Sequence, residues 1–313
     1  MAMVLGSLEG RAAERGPAVG KAPATVDLQG TIRVSGAWAL YPMMVKWAEE
    51  FRKLHPKVRI DVSAGGAGKG AADTLTGMVD IGMVSREIRQ EETRQGLFGV
   101  PVVKDAVFPT INGNNPVLAT LMKKGIKKSV FTDLWIMGKP LTWGSVAGQA
   151  VPTRIQVYTR SDSCGAAETW AKYLGKKQED LKGVAVYGDP GVAEAIRRDP
   201  AGIGYNNLNY AYDMRTGRPV AGLQIAPIDV NENGRVDPGE RLMSKHDAIQ
   251  AVLAGRYPSP PARDLYLVAK GNFKGTSLAF VRWILTDGQR YAEEVGYLKV
   301  TPGQVKESLK KVR

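Results

Sequence analysis

The chain has 313 residues, 43 Lys and Arg against 31 Asp and Glu, a net charge of +12, one cysteine and two histidines. That length can bury the cores of two lobes, while a single cysteine excludes an internal disulfide, and two histidines, His55 and His246, exclude a His-rich metal site and argue against a Ser-His-Asp triad. No apolar stretch approaches the ~20 residues of a membrane-spanning helix, and the densest basic cluster, Lys123 to Lys128, lacks the interleaved aromatics of a nucleic-acid surface.

Residues 1–28 have neither a basic start nor a long apolar core and read as linker or leader. Thr31 to Val34 then forms a strand and Tyr41 to Leu54 a helix with Met44, Ala48 and Phe51 on one side. Val58 to Val62 is a second strand. Past a glycine-rich turn comes a helix whose Ala71, Leu75 and Met78 share a face, and Val79 to Val84 starts a third strand. This β-α-β alternation implies a parallel sheet.

After Val107 to Ile111 the texture changes. A second lobe has its own strand at Arg154 to Thr159 and a helix at Ala166 to Leu174, whose Ala167, Trp170, Ala171 and Leu174 make a buried stripe. Arg263 to Ala269 is again a strand, followed by a helix around Ser277 to Leu285 with Val281, Ile284 and Leu285 inward. The reading is therefore 29–108 in lobe one, 109–260 in lobe two and 261–313 back in lobe one. Such a path makes two crossing strands, the architecture of a hinge with a cleft beside it.

Three times a β-branched run breaks into small residues and then a helix: at Ser35-Gly36-Ala37, at Gly65 to Gly70, and at Ser163-Cys164-Gly165-Ala166. Turns without bulky side chains let backbone N–H groups and helix N-termini approach an anion. Arg160, which ends a strand just before the third turn, is the favoured cationic ligand. Asp162 either orients it or caps the next helix.

Asp229 to Glu240 fits a 12-residue calcium loop, with oxygen side chains at positions 1, 3, 5, 9 and 12 and glycine at position 6. The metal set is Asp229, Asn231, Asn233, Arg235, Asp237 and Glu240. Leu223 to Ile228 before it reads as a strand, and the next helix starts only near Ser244, so the loop is not half of an EF-hand pair. A structural Ca²⁺ is expected, the alternative being an acidic surface turn.

Taken in order, several segments resemble the phosphate-binding solute-binding proteins of ABC importers, a family of type II periplasmic binding proteins. They are Ser35 to Pro42, Gly65 to Gly70, Asp80 to Glu87, Asn112 to Pro116, Phe131 to Leu134 with Trp143, Arg160 to Ala166, Asp199 to Tyr205, Leu265 to Gly271 and Glu294 to Tyr297. The resemblance implies an α/β, two-lobed, type II periplasmic-binding-protein-like fold. It implies a receptor, not an enzyme, that closes on phosphate or a similar tetrahedral oxyanion and delivers it to the permease subunits of an ABC transporter. The setting would be periplasmic or at the cell surface, with no nucleic-acid partner and a monomeric state.

The family's hydroxyl donors are partly replaced here. The first turn holds Ala39, Leu40 and Tyr41, leaving mainly backbone amides near Leu40 and Tyr41. The second holds Ala67 and Gly68 with Lys69, and the third Ser163, Cys164, Gly165 and Ala166. Ser85 stands where some phosphate binders place a carboxylate acceptor, beside Arg86. Lys69 and Arg86 then compensate with charge-assisted hydrogen bonds, or are surface charges.

Two other readings remain in view. Cys164 at a helix N-terminus, four residues from Arg160, would have a lowered pKa and could serve a cysteine enzyme, although no base is visible. A vestigial cleft with an organising calcium loop would instead make an interaction or adhesion module.

Overall fold

The structure, a computed structural model, describes residues 28–260 and 262–313; most of the 1–28 segment lies outside them. Strands β1 (Gly30–Gly36), β2 (Val58–Ala64) and β3 (Ile81–Val84) are joined by helices α1 (Tyr41–Leu54) and α2 (Ala67–Leu75), and β1 pairs in parallel with both β2 and β3. Pro42 at the start of α1 sets its first turn, and Met43, Met44, Trp47, Ala48 and Phe51 form its buried face. Residues spaced three and four apart share one side of a helix, so this stripe seats α1 on the sheet.

Within this sheet the parallel expectation holds for β1, β2 and β3, and not for the strands added beside β3. The strand Arg263–Lys270 runs antiparallel between β3 and β4 (Leu97–Asp105), and Leu298–Lys299 adds antiparallel to the outside of β4. A strand arriving from another lobe is not bound to the one-way winding of a βαβ unit. Met78 also departs from expectation, because α2 ends at Leu75 and Met78 lies exposed in the following turn.

The second sheet has the order Leu223–Ile225, β5 (Val107–Asn112), Gly202–Asn207, Gln156–Arg160, Val184–Val186. Its core stacks Phe131, Trp135, Trp170 and Tyr205, with ring centroids 5.3 to 6.0 Å apart. The other core joins Phe51 of α1 to Phe280 and Trp283 of the helix Gly275–Leu285. Both are aromatic clusters in the geometries that ring quadrupoles favour.

The chain passes from one sheet to the other at Ala106, between β4 and β5, and returns through the segment after the helix Lys245–Leu253. The first crossing is nearly continuous strand, but the second is a loop containing Pro258 and Pro260, which cannot donate to a ladder. Two crossing strands were expected; one strand and one loop are found.

Candidate functional site

The small-residue turns converge where the lobes meet. Within lobe one, the amides of Gly65 and Gly66 donate to Gly36 O at 2.9 and 3.0 Å, and Ala37 N donates to Met83 O at 2.9 Å, which gathers the ends of β1, β2 and β3. Gly36 has φ +133°, and a side chain there would overlap the backbone of Met83 and Gly70.

Across the junction, Gly68 N donates to Ser163 O at 3.1 Å. A Cβ on Gly66 would lie 2.7 Å from Ser163 O and 2.8 Å from Asp162 Oδ2, and one on Gly165 would overlap Ser85 O. The lobes are thus closed on each other, glycine against backbone. Trp38 of lobe one covers Gly188 of lobe two, and Tyr210 Oη donates to Trp38 O at 3.3 Å. Three helices, α2, Gly165–Tyr173 and Gly188–Arg198, begin at this junction. Their positive ends favour an anion.

Arg160 has a fully buried side chain. Its Nε and Nη2 donate to Asp162 Oδ1 and Oδ2 at 2.7 and 2.6 Å, and its Nη1 donates to Asp189 Oδ2 at 2.5 Å. Three of the five guanidinium N–H bonds are used by these contacts. Burial opposes its charge, but Asp189 and then Asp162 hold it protonated well beyond the usual arginine range. Asp162 therefore orients Arg160, and it also accepts from Gly188 N at 3.2 Å. Tyr205 Oη, bonded to Thr159 Oγ1 at 2.8 Å, accepts from Arg160 N at 3.3 Å, which explains the tyrosine in Asp199 to Tyr205.

Other sequence-chosen residues are placed differently. The side chains of Ala39 and Leu40 are buried in lobe one. The amides of Leu40 and Tyr41 bond Ala37 O and Trp38 O in a 3₁₀ turn, so the expected backbone donors are already engaged there. Ala67 is buried, and Gly68 offers its amide to Ser163 O instead. Lys69 folds back onto Asp73, which also accepts from Ser35 Oγ at 2.7 Å.

Arg86 is buried and grips Glu92 with both terminal nitrogens at 2.9 and 2.6 Å, while its Nε lies 3.1 Å from Glu168 of lobe two. Lys69 and Arg86 are both ion-pair partners in this geometry. Arg89 adds a second bond to Glu168 at 2.9 Å, and Lys172 reaches Glu87 at 3.1 Å, so ion pairs bridge the lobes beside the turns. Ser85 packs against Gly165, and Ala166 is buried at the start of its helix.

Cys164 is the N-cap of that helix and its sulfur accepts from Ala167 N at 3.4 Å. Burial pushes the thiol up to about 12, more than Arg160 can offset. The lowered pKa that a cysteine enzyme requires is thereby corrected. Gln178 was missed: it accepts from Cys164 N at 3.1 Å and donates to Asp162 O at 2.7 Å, bracing the third turn. Asp189 was missed too, although Gly188-Asp189-Pro190 after a strand is a helix-start signal.

Beside the turns, a groove of about 830 Å³ runs along the junction, lined among others by Arg86, Glu168, Tyr257, Arg263 and Tyr266. It contains none of the three turns, so the site stands on the convergence of Arg160 and the helix starts and not on cavity size.

In the calcium-like loop, Asp229 accepts from Asn233 N and Gly234 N at 3.0 and 2.9 Å, and Glu240 from Val230 N and Asp237 N at 2.8 and 3.0 Å. Gly234 has φ +78°, the left-handed turn that position 6 demands. Asn231 and Asn233 donate to Asp237 Oδ2 at 2.8 and 2.9 Å, and the Arg235 guanidinium pairs with Asp237. Among the described residues, no three His, Cys, Asp or Glu side chains gather closely enough to hold a metal by themselves. Strand Ile228–Asp229 precedes the loop, and Ser244 caps the helix after it.

A family model described as PBP superfamily domain matches residues 20–288. The chain is 28% identical over 281 residues to the phosphate-binding protein PstS of Bacillus subtilis, covering 88% of this chain and 83% of that one. It is 26% identical over 320 residues to the phosphate-binding protein PstS of Methanocaldococcus jannaschii, covering 89% and 77%. Among solved structures, one from Clostridium perfringens, described as a phosphate ABC transporter substrate-binding protein with bound phosphate, superposes with a TM-score of 0.71 at 22% identity, covering 87% of this chain and all of that one.

Proposed function

The chain belongs to the PBP superfamily, and from that premise we propose that it captures phosphate, or a similar tetrahedral oxyanion, between its lobes and delivers it to an ABC permease outside the cytoplasmic membrane. The observation that carries this is Arg160, a buried guanidinium fixed by two carboxylates at the junction where three helices begin. Such a site binds; it offers no activated nucleophile, and the named relatives are phosphate-binding proteins and not enzymes. Among the described residues no helix is long and apolar enough to cross a membrane. We read the protein as a monomer that meets its permease as a separate subunit.

Capture needs the lobes to part. Gly68 N and Ser163 O, bonded to each other in the closed form, separate on opening, and ligand contacts to both lobes then favour reclosure. Calorimetric titration of ligand-stripped protein with phosphate, sulfate, arsenate, molybdate and tungstate tests the reading. Saturable binding of phosphate at micromolar concentration or tighter is expected; binding of another anion alone changes the substrate, and no binding of any of them rejects the function.

For the loop at Asp229 to Glu240 we propose a structural Ca²⁺. Support comes from the spacing of oxygen side chains at positions 1, 3, 5, 9 and 12 and from the left-handed Gly234 at position 6, in a loop whose Asp229 and Glu240 carboxylates now hold its own amides. A Ca²⁺ concentration 100-fold above its Kd would stabilise the fold by about 2.7 kcal/mol, enough to raise Tm by several degrees. Asp229→Ala with Glu240→Ala should remove that response. A wild-type Tm indifferent to Ca²⁺ rejects the site.

A further inference from the structure

Behind the turns lies a connected set of buried polar groups that the turns do not account for. Asp189, fully buried, accepts from Arg160 with one oxygen and from Asn207 N at 3.0 Å with the other, and Asn206 Nδ2 donates to Asp189 O at 3.0 Å. Asn207 Oδ1 in turn accepts from Arg263 Nη2. Arg263 also donates through Nε to Ser85 O at 2.6 Å and stands 3.8 Å from Asp105. Asp105 is the last residue of β4, next to the crossing at Ala106, and Arg263 is the first residue of the returning strand. The set therefore starts at the anion-site arginine and ends at both crossings.

We propose that Asp189 is a positioning residue for anion capture, fixing the guanidinium edge of Arg160 that Asp162 leaves and linking it through Asn207 and Arg263 to Asp105, so that an anion arriving at Arg160 draws a proton onto this cluster. The inference rests on reading Arg160 as the anion ligand. The buried cations Arg160 and Arg263, with buried Lys245 within electrostatic reach of Asp105, face three carboxylates, Asp105, Asp162 and Asp189. One more negative charge in a low-dielectric site is relieved by protonating the carboxylate least well held.

That carboxylate is Asp105. Leu208 N donates to its Oδ1 at 3.3 Å, while its buried Oδ2 accepts no hydrogen bond. Burial pushes its carboxyl up to about 6, against the attraction of Arg263 and with a further upward push from Asp189. Lys245, Tyr210 and Tyr297 are the other titratable groups that feel it. An anion raises this value further in the bound state, so affinity increases as pH falls toward about 6 and levels off below it. The step is one solvent proton bonding to one carboxylate oxygen.

The test is calorimetry of the full chain with inorganic phosphate near pH 7, in two buffers of different ionisation enthalpy, for wild type, Asp189→Asn and Asp105→Asn. Asp189→Asn is expected to weaken binding tenfold or more. Asp105→Asn, with a melting temperature confirming its fold, is expected to take up fewer protons per phosphate bound than wild type, a difference that phosphate's own ionisation does not produce. Equal proton uptake in wild type and Asp105→Asn, or wild-type affinity in Asp189→Asn, overturns the inference alone. No phosphate binding by wild type overturns the phosphate reading and this inference with it.

Discussion

Arg160→Ala is expected to abolish measurable phosphate binding and to destabilise the protein at the same time. Two charge-assisted hydrogen bonds to an anion contribute about 1.5 to 3 kcal/mol each, so affinity should fall at least about 100-fold. The side chain also neutralises Asp162 and Asp189, which are almost wholly buried. Removing one partner of a buried pair costs about 3 to 5 kcal/mol, because the remaining charge is stranded. Arg160→Lys should keep much of the stability and little of the binding, since an ammonium cannot hold Asp162 through two parallel bonds and reach Asp189 as well. Thermal melts with titrations of both variants check this; wild-type affinity in Arg160→Ala would move the anion elsewhere.

Gly165→Ala should separate binding from folding. Its added methyl would overlap Ser85 O, which belongs to the other lobe, the three nearest atoms all being Ser85's, and Gly165 is absent from the left-handed backbone positions, so its own backbone conformation accepts alanine. Overpacking of this kind costs about 1 to 3 kcal/mol, and here the cost falls on closure alone. We expect phosphate affinity to drop by about 5- to 100-fold with Tm nearly unchanged, and small-angle scattering to show a more open particle in the presence of ligand. Unchanged affinity would mean that closure does not bring Gly165 against Ser85.

The contrast between these two residues shows what the sequence could reveal. Arg160 and Gly165 were legible because a strand, a cation and a small-residue helix start follow one another within a few positions. The helices α1, Gly165–Tyr173 and Gly275–Leu285 were legible from their apolar stripes. Strand β4 was not, since Gly99 and Pro101 interrupt its alternation and a register shift falls where it pairs with Leu265 and Tyr266. Asp189 and Glu168 were missed for a different reason. Each is an ordinary acidic residue in the first turn of a helix, and its role exists only because residues distant in sequence, such as Asn207 or Arg86, are brought to it. Arg86 meets Glu92 and Glu168 in the structure, pairings the sequence does not announce, while Lys69 has its partner Asp73 one helical turn away, a spacing visible in the sequence.

The position of Arg263–Lys270 between β3 and β4 has a consequence for how the molecule is made. Lobe two is built from one continuous run of chain and can form its sheet as soon as that run emerges. Lobe one cannot, because its central strand is among the last segments to appear, and until then β3 and β4 expose unpaired edges that no neighbour covers. Completing that sheet requires contacts between residues far apart in sequence, the slow kind of pairing. The strand order therefore sets what each half needs: the half in the middle of the chain holds all the strands of its own sheet, and the half that begins the chain needs a strand from near its end.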